Sequence, residues 1–563
     1  MTNRKLLGLT AFFAAGLVTA GFSGCSFLNE LLDATNVDAT GVAKKISDAD
    51  YTAVDKETMT VSSDKDGKVA YLVKVNLGGT KANASTTGNS RAVSEEAEGT
   101  EYTVGGPRTF TLPEDFTRES LGRVLTDEEA AARESRGLKS SYSVGDTEKF
   151  HLGSSGTGNA SSTSTATLKY VSDYFYIWYV SSSKNFIKES SMDFKTLGNK
   201  LDTIFHLEKK IFGSNVPKKN NFSELISVSE SDKIHVIVYD IDNDAQEGNK
   251  SGTYGFVSTV NMYTPDSTSG KKYNSNGAQI LYLDSYLLQL APEKIWSTSA
   301  HELQHLLGFI QKQINTQGPE FSTWFTEMLS LVSEEIFQEI LGVSDDNAPF
   351  ISRKDFSCSA TNWGIADECW SKAPTGSFEY ANTYMFGTYL MRHYGGLQLI
   401  HEIATNNYGK EEAITQALKT CGFTEDFYDV LAKFGQIYVN ASGNNSALCT
   451  LNKAYTTNFD GKSYSFKKLN LTEQTIPASA YTNEWKSYVS TGAIAGTSKF
   501  YKKPSGNRIS LPIYLKGTSD GQVELYQYGT SVHCLGKVSS GTKLKFELPK
   551  DDEVAMFLTY MGN

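Results

Sequence analysis

Two histidines and a glutamate stand at a spacing that suits metal-assisted hydrolysis. The segment Ser299–Ile310 contains His301-Glu302-x-x-His305. Histidines four residues apart lie on one face of a helix, one turn apart, so both can reach the same metal ion. The glutamate between them is placed to act as a general base. An apolar stripe at helical spacing supports the helix and leaves the histidines on the other side: Trp296, Ala300, Leu303, Leu307, Ile310 and Ile314.

A hydrolytic zinc site needs a third protein ligand and an open fourth position. The metzincin pattern would place that ligand at 311, where this chain has Gln311, a poor zinc ligand. The gluzincin pattern uses a glutamate on the next helix, and Glu327 lies in the helical segment Thr323–Glu334. We therefore predict one zinc ion bound by His301, His305 and Glu327.

The sequence AHELQH followed by WFTEM resembles the hyicolysin-type zinc metallopeptidases, a gluzincin group distantly similar to thermolysin. The resemblance extends upstream through VGDTEKF, YDIDND and ILYLD and downstream through YMFGTYL, from residue 144 to about 440. It implies a thermolysin-like fold, one zinc ion, secretion, and endopeptidase activity on proteins.

The chain departs from that pattern at one position. Thermolysin-like enzymes carry an aspartate four residues after the ligand glutamate, where it orients the first histidine, and this chain has Leu331 there. Ser330, Glu334 or a backbone carbonyl could take over that contact. The sequence leaves the three alternatives open.

Two further elements are predicted to contact the substrate. Tyr384 begins a Y-x-x-G motif similar to that of aminopeptidase-type gluzincins, so it is the candidate donor to the tetrahedral oxyanion, beside Glu302 as the other catalytic residue. Tyr380 and His393 are its alternatives. The resemblance also implies that the strand Ala278–Leu283 is an edge strand that pairs with extended substrate, with an interior strand as the alternative reading.

Composition and the N-terminal segment indicate the class of partner and the cellular compartment. The 563 residues include 53 Lys and Arg against 64 Asp and Glu, a net charge of −11, which argues against a nucleic-acid partner. Arg4 and Lys5 precede an apolar run, Leu6–Phe22, and the small residues before Cys25 resemble a bacterial lipobox. We therefore expect a protein of the bacterial cell envelope, lipid-anchored through Cys25 and facing the periplasm or the cell exterior.

The pattern along the chain predicts an α+β fold in four parts. These are a lipoprotein signal peptide at 1–24, a partly disordered tether and N-terminal region at 25–140, a thermolysin-like metallopeptidase domain at 141–445, with a mixed sheet and a helical subdomain, and an all-β, sandwich-like module at 446–563. Within them we predict a strand at Val69–Val75, a loop at Gly153–Thr167, one long strand at Leu168–Val180 and a helix at Phe194–Phe212.

Two weaker signals concern a second cation and a disulfide. Asp240, Asp242 and Asp244 alternate as at the start of a calcium loop, but the later positions exclude an EF-hand. A calcium ion bound in another way stays open, although a solvated acidic turn is the favoured reading. Cys358 and Cys369 are close enough in sequence for a disulfide.

The most direct functional hypothesis is a membrane-anchored, secreted zinc endopeptidase acting on protein or peptide substrates. The alternative from another class is a surface adhesin or binding lipoprotein that retains a protease-like fold. A minor third hypothesis is a peptidase acting on a cell-wall amide.

Overall fold

The structure is a computed structural model. It describes residues 51–78, 81–82, 118–126, 128–129, 138, 141–154, 158–217, 222–250, 252–316, 322–349, 353–354, 357–358, 361–370, 377–442, 450–471, 494–495, 514–516, 525–546, 548 and 554–561. The predicted signal peptide, Cys25 and most of the predicted tether lie outside these residues. Among the described residues, no helix combines the length and the apolar character needed to cross a bilayer.

The strands are β1 (Tyr51–Ala53), β2 (Thr58–Thr60), β3 (Val69–Asn76), β4 (Lys81–Ala82), β5 (Thr147–Ser154), β6 (Gly158–Val171), β7 (Phe175–Tyr179), β8 (Ile234–Tyr239), β9 (Gly255–Val257), β10 (Ile280–Asp284), β11 (Tyr455–Phe459), β12 (Lys462–Phe466), β13 (Ile494–Ala495), β14 (Tyr514–Lys516), β15 (Leu525–Tyr526), β16 (Thr530–Lys537), β17 (Lys543–Lys545) and β18 (Val554–Met561). The α-helices are α1 (Phe194–Phe212), α2 (Thr268–Lys272), α3 (Ser285–Leu290), α4 (Pro292–Gly308), α5 (Thr323–Leu341), α6 (Asp367–Trp370), α7 (Ser377–His393), α8 (Gly396–Thr405), α9 (Lys410–Thr420) and α10 (Phe427–Ser442). A π-helical segment, Phe309–Asn315, continues α4.

The first sheet has the strand order β5-β6-β7-β8-β10-β9. Strands β7, β8 and β10 run parallel, and the outer pairings are antiparallel. Every residue of the three parallel strands is buried, which explains their almost continuous apolar sequence. Together with the helices that follow, this mixed sheet confirms the α+β class.

Two strand predictions in this sheet are wrong. Leu168–Val180 is not one strand, because a turn at Ser172-Asp173-Tyr174 separates β6 from β7. Asp202 stabilises that turn, since its carboxylate accepts hydrogen bonds from the backbone N–H groups of residues 173 and 174 at 2.9 and 3.0 Å. The polar stretch predicted as the loop Gly153–Thr167 belongs largely to β6, where its small polar side chains form the exposed side of the outer hairpin.

The expected edge strand is also wrong. Strand β10, which corresponds to Ala278–Leu283, lies between β8 and β9 and is therefore interior. The edge is formed by β9, only three residues long, which pairs antiparallel with β10 from Gly255 to Val257. The sequence GFV is too short to be recognised as a strand from periodicity.

A close helix contact explains the glycine of the Y-x-x-G motif. A Cβ atom at Gly387 of α7 would lie 2.6 Å from Val332 Cγ2 and 2.9 Å from Met328 Cγ, both on α5. Only glycine permits this approach. The motif therefore has a packing role next to the helix that carries Glu327.

The helix α1 has the predicted bounds, and it buries a carboxyl group against two other helices. Glu208 is fully buried, and its Oε1 lies 3.4 Å from Ser333 Oγ of α5. Ser333 Oγ in turn donates to the carbonyl of Ala300 in α4, at 3.0 Å. Burial raises the pKa of Glu208 well above its ordinary value.

The second sheet has the order β1-β18-β3-β16-β14-β13. The predicted strand Val69–Val75 is confirmed as β3, and it lies between β16 and β18. This sheet is therefore built from both ends of the chain rather than from C-terminal segments alone.

Replacing Glu208 with glutamine is expected to stabilise the fold more at high pH than at low pH. The folded chain keeps a proton that the unfolded chain releases above the ordinary carboxyl pKa. The free energy of unfolding of the wild type therefore falls as the pH rises towards the raised folded-state pKa, by about 1.4 kcal/mol per pH unit at most. Urea unfolding of wild type and Glu208→Gln at pH 5 and pH 8 measures the difference. The exposed Glu230 supplies the control, Glu230→Gln, and a stability difference for Glu208→Gln that does not grow with pH would contradict the expectation.

Candidate metal centre

The helix α4 carries the two histidines of the motif. Pro292 occupies its first turn, where the missing N–H costs nothing, and Glu293 lies close to the positive end of the helix dipole. His301 and His305 are both fully buried. The side of α4 opposite the apolar stripe is therefore covered as well.

The helix α5 supplies the third predicted ligand. The carboxylate of Asp367 accepts the backbone N–H of Trp324 at 3.0 Å and so stabilises the start of this helix. Glu327 follows in the second turn and is 2% exposed. Its side chain meets His301 and His305 in a group whose ligand atoms lie within 4.8 Å of one another.

The separations within this group suit a tetrahedral ion. His301 Nε2 and His305 Nε2 are 3.0 Å apart, and they lie 3.2 and 3.4 Å from the two oxygens of Glu327. A tetrahedral zinc ion with bonds of about 2 Å places its ligands about 3.3 Å apart. Gln311, the metzincin position, lies elsewhere, with its side-chain amide 3.4 Å from the carbonyl of Thr405.

The two histidines are held by different residues of α5. His301 Nδ1 donates to Glu334 Oε1 at 2.8 Å, and His305 Nδ1 lies 3.0 Å from Ser330 Oγ. Ser330 also contacts the side-chain carbonyl of Gln304. Glu334 therefore makes the contact to the first histidine that the sequence left open, and Ser330 contacts the second histidine instead. Both contacts leave the Nε2 atoms facing Glu327.

An arginine that the sequence reading missed completes the surroundings of Glu334. The fully buried Arg353 donates from Nη2 to Glu334 Oε1 at 3.0 Å. Its Nε and Nη1 atoms are buried and have no hydrogen-bond partner among the described residues. Nothing in the spacing of Arg353 distinguishes it, because only the folded chain brings it to the end of α5. The sole available signal was the missing aspartate at position 331, which required some other charge arrangement.

Burial and the neighbouring charges shift the pKa values of this group in opposite directions. Burial acts to lower the pKa of His301, but hydrogen bonds to Glu327 and Glu334 outweigh burial and raise it to about 9. Burial acts to raise the pKa of Glu327, but His305 and His301 hold it at about 2. Burial would also raise the pKa of Glu334, and Arg353 with His301 lowers it instead. A divalent cation would displace the protons on the histidines, as metal binding to imidazole generally does.

Glu302 has no such partners. It is fully buried, and neither carboxylate oxygen has a hydrogen-bond partner among the described residues. Burial raises its pKa to about 8, while the backbone of Val257 in the edge strand β9 acts in the opposite direction. A buried carboxyl group without partners, next to the ligand cluster and the sheet edge, is available for proton transfer.

Tyr384 and its alternatives lie in other surroundings. The hydroxyl of Tyr384 is fully buried, and its pKa is raised by burial and by the nearby Glu335 of α5. His393 stacks on Tyr389 and contacts Thr450, so it is held by the helical core. The oxyanion role of Tyr384 stays a prediction.

The acidic turn predicted from the sequence contributes Asp240 and Asp244, but not Asp242, to a group of three carboxylates. Asp284 lies with Asp240 and Asp244 in one group, and burial raises its pKa to about 7. Lys184 already pairs with Asp240 at 3.0 Å. Calcium binding here stays a prediction.

The predicted disulfide is wrong. Cys358 and Cys369 are both buried and neither is disulfide-bonded, whereas Cys421 is disulfide-bonded. The thiol of Cys369 instead faces the carbonyl of Gln527, at 3.7 Å.

Comparison with known proteins identifies the family. The peptidase M30 family matches residues 177–461, half of the chain, including α4 and α5. The chain belongs to the peptidase M30 family. The hyicolysin-type resemblance read from the sequence is thereby confirmed.

Two known proteins are similar to this M30 chain. The neutral metalloprotease ShpI of Staphylococcus hyicus is 24% identical over 301 residues, which cover 51% of this chain and 61% of that relative. An aminopeptidase N family protein from Idiomarina loihiensis shares 9% identity, covering 52% of this chain and 50% of the other, with a TM-score of 0.26. That score is too low for an argument about the fold.

The carboxylate of Glu334 is expected to tighten metal binding without touching the metal. Glu334→Gln removes the charge that accepts from His301, so we expect zinc affinity to fall about 10- to 100-fold. Competition with a fluorescent chelator measures this affinity. Glu339, exposed on the same helix, provides the matched control Glu339→Gln, for which we expect no change. Equal zinc affinity in the two variants would show that Glu334 does not orient His301.

Proposed function

We propose that this chain is a secreted, membrane-anchored zinc endopeptidase that hydrolyses peptide bonds in proteins. The observation that carries the proposal is the group of His301, His305 and Glu327, whose ligand atoms are 3.0–3.4 Å apart, with an unpartnered Glu302 beside it. The membership in a metallopeptidase family supports it. The similarity to the neutral metalloprotease ShpI, of whose length the chain matches 61%, supports it as well.

Zinc at this position would polarise the scissile carbonyl and lower the pKa of a bound water to about 7. Glu302 accepts the proton of the attacking water and passes it to the leaving amine. Neither of its oxygens has a hydrogen-bond partner in the part of the chain that the structure describes, which leaves them available for that exchange. Ser330 and Glu334 fix the direction of the two imidazoles, so the ligand atoms stay converged when substrate enters.

The edge strand β9 is the proposed docking site for the substrate backbone. It pairs with β10 on one side, and Val257 lies next to Glu302. An extended peptide that adds to a sheet edge is held by main-chain hydrogen bonds, which suits an enzyme that accepts many sequences.

The variant Glu302→Gln is expected to lose at least about 100-fold in casein hydrolysis while binding one zinc per chain, because only the proton acceptor is removed. Glu327→Gln is expected to lose both the zinc and the activity, since a ligand is removed. Metal analysis and peptidase assays on the same preparations separate the two effects, with Glu339→Gln as the control. Unchanged hydrolysis by a folded, zinc-loaded Glu302→Gln protein would refute the proposed role of Glu302. A wild-type protein that binds no zinc would favour the adhesin hypothesis.

The proposed anchor is a lipid on Cys25. The support is the basic pair Arg4 and Lys5, the apolar run Leu6–Phe22 and the small residues before the cysteine. Cys25→Ser is expected to move the protein from the membrane fraction to the soluble fraction, because no acyl chain can then be attached. Fractionation followed by immunodetection measures the distribution, and Cys534→Ser is the control. Retention of Cys25→Ser in the membrane fraction would rule out this anchor.

A further inference from the structure

The N-terminal strand β3 is a central strand of the second sheet, although most of that sheet comes from the other end of the chain. It pairs antiparallel with β16, from Val69↔Lys537 to Val75↔Thr530, and with β18, from Val69↔Met561 to Asn76↔Val554. The ladder on each side covers the length of the strand. Without β3, strands β16 and β18 would each lose a row of hydrogen-bond partners.

Both faces of β3 are buried, against different parts of the molecule. Ala70 and Leu72 are fully buried in a small cluster with Leu558, Phe546 and other residues of the second sheet. Tyr71, Val73 and Val75 lie on the other face, in the large core shared with the peptidase helices. Strand β3 is thus apolar on both sides, as interior strands are.

The helix α10 packs directly on this strand. A Cβ atom at Gly435 would lie 2.7 Å from Val75 Cγ2, so the glycine allows the helix backbone to approach the strand. The peptidase half and the N-terminal strand therefore share one interface.

The two ends of the N-terminal segment are also held. Asn76 is fully buried, its side chain donates to the carbonyl of Leu525 at 3.2 Å, and its backbone exchanges hydrogen bonds with Tyr528 and Gly529. At the other end β1 pairs with β18, and β2 pairs with β17. The segment 51–76 is therefore bound at several points along its length.

We propose that the slot between β16 and β18 is an interaction surface for the chain's own N-terminal segment, and that this segment stays bound after the connection to the peptidase domain is cut. An added strand gains affinity from main-chain hydrogen bonds and specificity from pockets for alternate side chains, and β3 has both. Whatever the N-terminus carries is consequently attached to the second sheet. Cleavage between β4 and residue 118 does not release the peptidase, whereas cleavage before β1 does.

The test uses the full chain with an affinity tag directly after Cys25 and a specific protease site at one of two positions. One site is inserted between Gly99 and Thr100, after β4, and the matched control site between Thr40 and Gly41, before β1. The folded protein is cut, captured through the tag and washed. We expect the fragment that begins at Thr100 to be retained with the tag at close to one to one. The control cut is expected to release all of the remaining chain.

A second variant links retention to the buried strand. Val73→Ala, combined with the cut after β4, is expected to shorten the retention time severalfold, because a fully buried side chain is truncated. Lys56→Ala, at an exposed position between β1 and β2, is the control, for which we expect unchanged retention. Release of the fragment immediately after the cut at Gly99, under native conditions, would overturn the proposal. The result does not depend on peptidase activity or on lipidation, so it is separate from the tests of the proposed function.

Discussion

The packing of α5 along α4 is the constraint on which the rest of the site depends. Ser330 and Glu334 follow Glu327 by three and seven residues, so the three side chains lie on one face of α5. Each meets a different atom of the two histidines on α4: Glu327 the Nε2 atoms, Ser330 the Nδ1 of His305, and Glu334 the Nδ1 of His301. Leu331, at the position of the missing aspartate, is instead fully buried in the apolar core.

Burial strengthens these electrostatic contacts and also raises the free-energy cost of any charge that has no partner. The histidines and acids are 0–2% exposed, so each charge must be compensated by a neighbour rather than by water. Arg353 compensates Glu334, and the histidines compensate Glu327. Burial raises the pKa of Glu302, because the charge of His301 and the backbone of Val257 offset only part of the effect of burial. This contrast separates residues that hold the centre from the residue proposed to move a proton.

The second sheet ties the two ends of the chain to the peptidase helices. Strand β3 carries hydrogen bonds on both edges and apolar contacts on both faces, one of them against α10. The N-terminal segment is thus held by strands from the C-terminal part of the sequence.

Local sequence determined the helix of His301 and His305, the bounds of α1, the strand β3 and the hyicolysin-type resemblance, because residue spacing encodes helix faces and strand burial directly. Tertiary structure alone decided the roles of Ser330, Glu334 and Arg353, since their partners lie on separate helices or distant segments. It also decided that β9, not β10, is the sheet edge and that Cys358 and Cys369 are not disulfide-bonded. The membership of β3 in a sheet of C-terminal strands was beyond any local pattern, because pairing across nearly 500 residues leaves no trace in the spacing of either strand. The sequence of a strand shows that the strand must be buried, but its partner strands are determined only by the tertiary fold.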